Sequence, residues 1–239
     1  MKYLGSKNRI AKHIAPIMIA EADRLGVTTW VEPFVGGANM IDKIPNRFMR
    51  IGCDANAHTI AALTAIRDMV HLLPDVLTEE AYRSLRGTPA DPLSSWLRFV
   101  AAFGGMFESG YAREKGSDSS TFVGYGKRNA LKQSPLLQGV SLRHARYEDC
   151  SSFKNCLIYC DPPYAGTAGY VTGSFDSEKF FKWCREMAKN NTVFVSEYSA
   201  PADFVCVWEG EVKTSFASTR KKATHVAVER LYFVDPDNI

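Results

Sequence analysis

The sequence predicts an α/β protein whose central β-sheet is mostly parallel and ends in an antiparallel strand. Short apolar runs typical of buried strands alternate with stretches of helical periodicity along most of the 239 residues. Strands that alternate with helices favour a parallel sheet covered on both faces. Residues from about 74 to 138 break this alternation, which indicates a mainly helical insertion between two strands.

The N-terminal part contributes two strands and three helices to this prediction. Ile10, Ile14 and Ile17 are spaced three or four residues apart, as on one face of a helix. The predicted elements are a helix over residues 8–24, a strand over 28–31, a helix from Ala38, a strand over 48–53 and a helix over 56–72.

The rest of the chain contains the insertion and the remaining strands. Residues 104–130 of the insertion are rich in Gly, Ser and Arg and show no clear period. We therefore divide the chain into a main domain, residues 1–73 and 139–239, and an insertion, residues 74–138. The predicted elements are helices over 94–103 and 178–190, strands over 140–147, 156–160 and 192–196, and an antiparallel pair at 204–208 and 226–234.

Composition and charge exclude some classes of protein and leave others open. No apolar run is long enough to cross a bilayer, and the basic N-terminal segment lacks the apolar core of a secretion signal. None of the six cysteines forms a C-x-x-C pair, so we expect reduced thiols and no metal site. The net charge is only +3, but residues 113–148 carry seven Lys or Arg against three acids, and residues 213–230 five against one. These segments fit either a phosphate-facing surface or ordinary solvated loops.

Three predicted strands end at residues that suit a nucleoside-like ligand. In an open α/β sheet, ligands bind beyond the carboxyl ends of the strands. Gly36 and Gly37 follow the first strand and let the backbone approach a ligand, although a plain tight turn would look the same. Asp54 follows the second strand and can accept hydrogen bonds from ribose hydroxyls, or it can cap the next helix. Asp149, beyond a later strand, is either a third ligand contact or a cap or surface carboxylate.

The most specific signal is the DPPY segment, which consists of residues 161–164 and follows the apolar strand at 156–160. Its two prolines fix two φ angles and remove two backbone donors. A carboxylate and carbonyl held in this way can accept both N–H groups of an amine on a flat ring, while Tyr164 stacks on the ring. The alternative is a rigid turn with an incidental aromatic residue.

Taken in order, these segments resemble the Dam-type family of DNA adenine-N6 methyltransferases over nearly the whole chain. Residues 3–7 (YLGSK) are similar to the family's N-terminal aromatic-x-Gly-x-Lys segment. The loop at 32–37 departs from the usual Phe-x-Gly-x-Gly because its second glycine is moved by one place. The resemblance implies catalytic roles for Asp161, Pro162 and Tyr164, and cofactor contacts for Tyr3, Lys7, Pro33, Phe34, Gly36, Gly37, Asp54, Asp149 and Asp161.

The resemblance also implies a fold, a cofactor and partners. We expect a Rossmann-like methyltransferase sheet in which 1–73 and 139–239 form the S-adenosylmethionine-binding catalytic domain and 74–138 the target-recognition region. The expected substrate is an adenine flipped out of double-stranded DNA. The protein is expected to be a monomer or weak dimer without metal. We expect it in the cytoplasm of a bacterium or phage-infected cell, where it could act in restriction-modification.

Other functions remain open. The same chemistry could act on cytosine N4 or on adenine in RNA, and a catalytically silent DNA-binding protein could retain the fold. A nucleotide-dependent oxidoreductase is disfavoured because the dinucleotide glycine pattern is absent. Within the insertion and its basic segment, Arg113, Lys127 and Arg128 are the candidate DNA contacts, against the alternative of a solvated loop.

Overall fold

The computed structural model describes residues 1–113, 121–164, 175–215 and 224–238, and its centre is one seven-stranded β-sheet. The strands are β1 Thr29–Glu32, β2 Met49–Asp54, β3 Val140–His144, β4 Leu157–Cys160, β5 Thr192–Glu197, β6 Phe204–Ser215 and β7 Thr224–Val234. Strands β1 and β4 are short and almost fully buried, and β4 is apolar throughout, as its sequence predicts.

The strand order is β3-β2-β1-β4-β5-β7-β6. Strands β1 to β5 run parallel, whereas β7 pairs antiparallel with both β5 and β6. The chain runs outward from β1 to β3 and then returns to place β4 on the other side of β1. Ligands of open α/β sheets bind at such a switch point. The predicted Rossmann-like sheet, mostly parallel with an antiparallel C-terminal strand, is therefore confirmed.

Helices cover both faces of the sheet. Trp30 on β1 packs into a core with α1, α2, α4 and α5, and its neighbour Val31 belongs to a second core with α6. This alternation follows from the opposite directions of successive side chains in a strand. The helices are α1 Ala11–Leu25, α2 Ala57–Asp68, α3 Glu79–Ser84, α4 Pro92–Val100, α5 Phe122–Leu137 and α6 Ser177–Ala188.

The expected aperiodic stretch at 104–130 is wrong in its second half, where helix α5 begins at Phe122. The helix contains Gly124, Gly126 and Pro135, which individually disfavour a helix. Gly126 explains why packing prevails, because a Cβ at this position would lie 1.9 Å from Val100 Cγ2 on α4. Its lack of a side chain lets two helices approach closely, so tertiary packing overrides local propensity.

The helix expected from Ala38 is also wrong, because only a single 3₁₀ turn forms there, at Ile41–Lys43. Gly36 and Ala38 both have positive φ, at 47° and 57°, which an α-helix excludes. Two smaller differences concern strand length: β3 ends at His144, and β6 continues to Ser215.

Three helices, α3, α4 and α5, fall within the predicted insertion. Trp96, Phe99, Val123 and Leu137 from α4 and α5 are buried in the same core as α2. The described part of the predicted insertion thus contains three α-helices joined by non-helical segments, and α4 and α5 pack on the main domain. The boundaries at 74 and 138 and the target-recognition role remain predictions.

Candidate active site

The N-terminal segment packs directly on the loop that follows β1. Gly36 has a φ of 47°, and a Cβ there would lie 3.0 Å from Tyr3 Cε1. A Cβ on Gly37 would lie 2.7 Å from Tyr3 Cβ. Both positions therefore require glycine, and the structure brings together three of the predicted cofactor-binding residues.

Asp54 ties this loop to the end of β2. Its Oδ2 accepts a hydrogen bond from the Gly36 N–H at 3.0 Å, and its Oδ1 accepts one from Asn56 N–H at 2.9 Å. Burial raises the pKa of Asp54 to about 6, although these two hydrogen bonds oppose the shift. Asn56, whose side chain accepts from His58 N–H, caps helix α2. Asp54 is therefore not the helix cap, and its carboxylate has more lone pairs than these two backbone donors use.

A buried ion pair joins the N-terminal segment to the DPPY segment. Lys7 Nζ lies 3.0 Å from Asp161 Oδ1 and 3.7 Å from Glu229 Oε2. The Lys7 side chain is only 7% exposed, and that of Asp161 is 21% exposed. A charged lysine is rarely buried without such partners. The structure thus places two predicted site residues, 154 positions apart, in direct contact and adds Glu229 to them.

Tyr164 is held on the same cluster. Its hydroxyl donates a 2.7 Å hydrogen bond to Glu229 Oε2, and Lys7 Nζ lies 4.4 Å from the centre of its ring. The Tyr198 ring stands nearly perpendicular to it, with centroids 4.6 Å apart. Pro162, which precedes it in the DPPY segment, is buried. The aromatic residue of this segment is therefore fixed at its hydroxyl end and on one ring face.

The cluster holds more negative than positive groups. Burial raises the pKa of Asp161 to about 6, although the charge of Lys7 opposes this. Burial also lowers the pKa of Lys7, but Asp161 and Glu229 together outweigh it and raise the value. Burial raises the pKa of Glu32 far above its usual range, and its Oε1 accepts a 2.9 Å hydrogen bond from Trp30 Nε1. Asp161 and Glu229 place two carboxylates around the one ammonium group of Lys7.

Phe34 and Pro33 lie on the other side of the loop. The Phe34 ring stacks on Tyr147 with centroids 5.5 Å apart and meets Phe180 edge-on at 5.6 Å. Pro33 is buried, and Phe34 is half-buried. Phe34 therefore belongs to an aromatic cluster between the loop and α6.

Asp149 adopts the role that the alternative interpretation gave it. Its Oδ2 accepts a 2.8 Å hydrogen bond from the Arg146 N–H and so caps the 3₁₀ helix Tyr147–Ser152. The residue is exposed. A cofactor contact by Asp149 stays a prediction.

Two of the three candidate DNA contacts have acidic partners at the surface. Arg113 pairs with Glu79 at 2.6 Å, and Lys127 pairs with Asp75 at 2.8 Å. Arg128 instead lies 4.3 Å from the centre of the exposed Tyr125 ring. Four basic residues of these two segments, Lys115 and residues 220–222, lie outside the described residues.

Sequence reasoning missed Glu229 because it examined residues that follow parallel strands. Strand β7 runs antiparallel to β5. Its residues near the edge of the sheet where β5 ends therefore lie inside β7 and do not follow it. Glu197 at the end of β5 pairs with Arg230, and Glu229 lies one residue beyond that pairing. An acidic residue inside the apolar run at 226–234 was the available signal.

Two further observations concern membranes and metal ions. Within the described ranges, no helix has the length and apolarity required to cross a membrane. The same residues contain no group of three or more His, Cys, Asp or Glu that could hold a metal ion.

Comparisons with solved structures give distant similarities. A candidate methylase from Haemophilus influenzae is 8% identical, over 94% of this chain and 98% of that one, with a TM-score of 0.39. A candidate methyltransferase from Escherichia coli is 10% identical, over 94% and 85%, with a TM-score of 0.35. Another candidate methyltransferase, solved as a complex with SAH, is 11% identical over 96% and 52%, also at 0.35. Because these TM-scores are low, the fold assignment rests on the strand order of the chain itself.

Comparison with family models is more specific. No curated protein sequence matches the chain. Residues 3–89 match the model of the D12 class N6 adenine-specific DNA methyltransferases. This range contains Tyr3, Lys7, the loop at 32–37 and Asp54. The resemblance to the Dam-type adenine methyltransferases is therefore confirmed over residues 3–89, the segment that carries the family's N-terminal and cofactor-side motifs.

Proposed function

We propose that the protein is an S-adenosylmethionine-dependent DNA methyltransferase that modifies the N6 amine of adenine. The observation that carries this proposal is the 3.0 Å contact between Lys7 Nζ and Asp161 Oδ1. Lys7 lies inside the segment that matches the methyltransferase family, and the DPPY segment lies outside it. Their contact supports a single site at the switch point between β1 and β4.

The charge and shape of this site support the cofactor. A buried cluster with two carboxylates around one ammonium favours a cationic ligand, since unbalanced buried charge is costly. S-adenosylmethionine has a positively charged sulfonium and supplies the methyl group. Gly36 and Gly37 let Tyr3 pack on the loop that would face the cofactor. Asp54, with both oxygens accepting one backbone N–H each, would accept its ribose hydroxyls.

The remaining residues would bind the target base. An adenine inside a duplex cannot reach the site, so the base must be flipped out at a cost of a few kcal/mol. Stacking on Tyr164 would recover about 1–3 kcal/mol of that cost. Asp161 and the Pro162 carbonyl would accept hydrogen bonds from N6 and direct its lone pair toward the methyl carbon.

The DNA surface remains a proposal built on Arg113, Lys127 and Arg128. Arg113 and Lys127 would have to exchange Glu79 and Asp75 for phosphates. Arg128 lies on an exposed aromatic ring, a combination that suits nucleic acid because it offers both charge and a stacking face. We therefore expect Arg128 to contribute most of the three to DNA affinity.

The test combines cofactor binding with product analysis. Purified protein is titrated with S-adenosylmethionine by calorimetry and then incubated with radiolabelled cofactor and unmethylated DNA or RNA, after which nucleosides are separated. We expect binding and N6-methyladenine from DNA, and no product from the Asp161→Ala variant. Formation of N4-methylcytosine, or of product from RNA alone, would show that adenine in DNA is not the substrate. Absence of cofactor binding by folded protein would favour a silent DNA-binding protein.

A further inference from the structure

Glu229 is a buried carboxylate of the site to which the proposed methyl transfer assigns no chemical role. It lies on β7, and its side chain is 10% exposed. Its Oε2 accepts the Tyr164 hydroxyl at 2.7 Å and lies 3.7 Å from Lys7 Nζ. The same oxygen thus contacts both the aromatic residue of the DPPY segment and the cation that pairs with Asp161.

These contacts are worth more than a surface ion pair. Hydrogen bonds with a charged partner are roughly twice as strong as neutral ones, and burial strengthens them further. Without Glu229, the Tyr164 hydroxyl would lose this acceptor but keep its interaction with Asp161, and Lys7 would keep one carboxylate partner of two. The Tyr164 ring would then be held less firmly in the orientation that stacking requires.

We propose that Glu229 is a positioning residue that fixes the Tyr164 ring for stacking with the target base and sets the charge around Asp161. This proposal rests on the proposed methyl transfer and deepens it. Glu229 acts through Tyr164 and Lys7 and touches no reacting atom. The titratable groups around its carboxylate come from the N-terminal segment, β4, the DPPY segment and the residue after β5, namely Lys7, Tyr159, Asp161, Tyr164 and Tyr198.

The first test removes the charge and keeps the shape. The negative charge of Glu229 raises the pKa of Asp161, so Glu229→Gln should lower it. Because Asp161 must be deprotonated to accept the amine, the acidic limb of kcat against pH should move down by about one unit. Glu211→Gln changes an exposed carboxylate on β6 and serves as the matched control. An unmoved limb in Glu229→Gln would contradict the electrostatic part of the proposal.

The second test asks whether Glu229 acts through the tyrosine hydroxyl. Glu229→Ala removes one of the two carboxylates that favour the cationic cofactor, so it should weaken binding of S-adenosylmethionine, but it should lower kcat by a larger factor, about 10- to 100-fold. In a Tyr164→Phe background, which has no hydroxyl to hold, the same substitution should have less than half of that logarithmic effect. Full additivity, or a loss confined to cofactor affinity, would contradict a positioning role. If Glu229→Ala does not fold, the same comparison between the wild-type and Tyr164→Phe backgrounds can be made with Glu229→Gln.

The two levels of inference fail in different ways. The proposed function is overturned if the wild-type protein neither binds the cofactor nor methylates any substrate. The role of Glu229 alone is overturned if the wild-type protein is active but substitutions at position 229 change neither kcat nor the acidic limb of its pH dependence.

Discussion

Replacing Lys7 with methionine removes the cation of the site and keeps most of the side-chain volume. In the structure this cation lies 3.0 Å from Asp161 Oδ1 and 3.7 Å from Glu229 Oε2. The substitution leaves two carboxylates without a positive partner. We expect Asp161 to respond by binding a proton, since a buried carboxylate without a partner favours its neutral form.

The size of this response follows from the geometry. Two unit charges 3.0 Å apart attract each other by about 5 kcal/mol at an effective dielectric constant of about 20. Breaking a buried pair typically costs about 3–5 kcal/mol, which corresponds to roughly 2–4 pKa units. The pKa of Asp161 would rise from about 6 to roughly 8–10. At pH 7 the charged fraction would fall about 10- to 1,000-fold.

The assay is kcat for methyl transfer to DNA between pH 5 and pH 10. In the wild type, activity should fall as the pH drops through about 6, where Asp161 gains its proton. Lys7→Met should move this limb upward and regain activity as the pH rises. Lys7→Arg, which keeps the charge, and Lys12→Met, at an exposed position on α1, should leave the limb near its wild-type position. A Lys7→Met limb that stays near pH 6 would refute the electrostatic reasoning.

Three further predictions concern the cofactor loop, the DNA surface and the helix packing. Gly36→Ala should weaken binding of S-adenosylmethionine at least about tenfold, since it combines a φ of 47° with a Cβ placed 3.0 Å from Tyr3. Gly26→Ala, at a φ of 67° with no atom within 4 Å, carries a similar backbone cost and should leave calorimetric affinity unchanged. Arg128→Gln should reduce the slope of log affinity for DNA against log salt by about one, whereas Arg113→Gln should change it less. Equal slopes for the two variants would count against Arg128. Gly126→Ala should lower the free energy of unfolding by about 1–3 kcal/mol, because the new methyl group meets α4. Denaturant titration would measure this, and an unchanged midpoint would show that α4 and α5 separate without cost.

The parts of the fold that could be predicted are those in which local pattern and tertiary structure agree. The apolar run at 156–160 forms β4, and its end places the DPPY segment at the switch point, as the strand-end rule requires. The contact between Lys7 and Asp161 was implied only by the family resemblance, which assigned both to one pocket. No property of the sequence gives their 3.0 Å separation.

The parts that could not be predicted depend on contacts between distant residues. Helix α5 contains glycines and a proline that argue against a helix, and it forms because Gly126 fits against α4. No helix starts at Ala38 because the loop that receives Tyr3 needs a left-handed backbone there. Glu229 joins the site because of the register in which β7 pairs with β5, and that register, unlike the antiparallel direction of the strand, could not be predicted from the sequence.

The most direct test of the central claim is the modification of DNA in a cell. The chain is expressed in a bacterium that lacks its own adenine methylation, and modified bases are mapped by single-molecule sequencing. We predict N6-methyladenine at one recurring sequence context in cells with the wild type and none in cells with Asp161→Ala. Genomic DNA without modified adenine, from cells in which the wild-type protein is folded and binds S-adenosylmethionine, would contradict the claim.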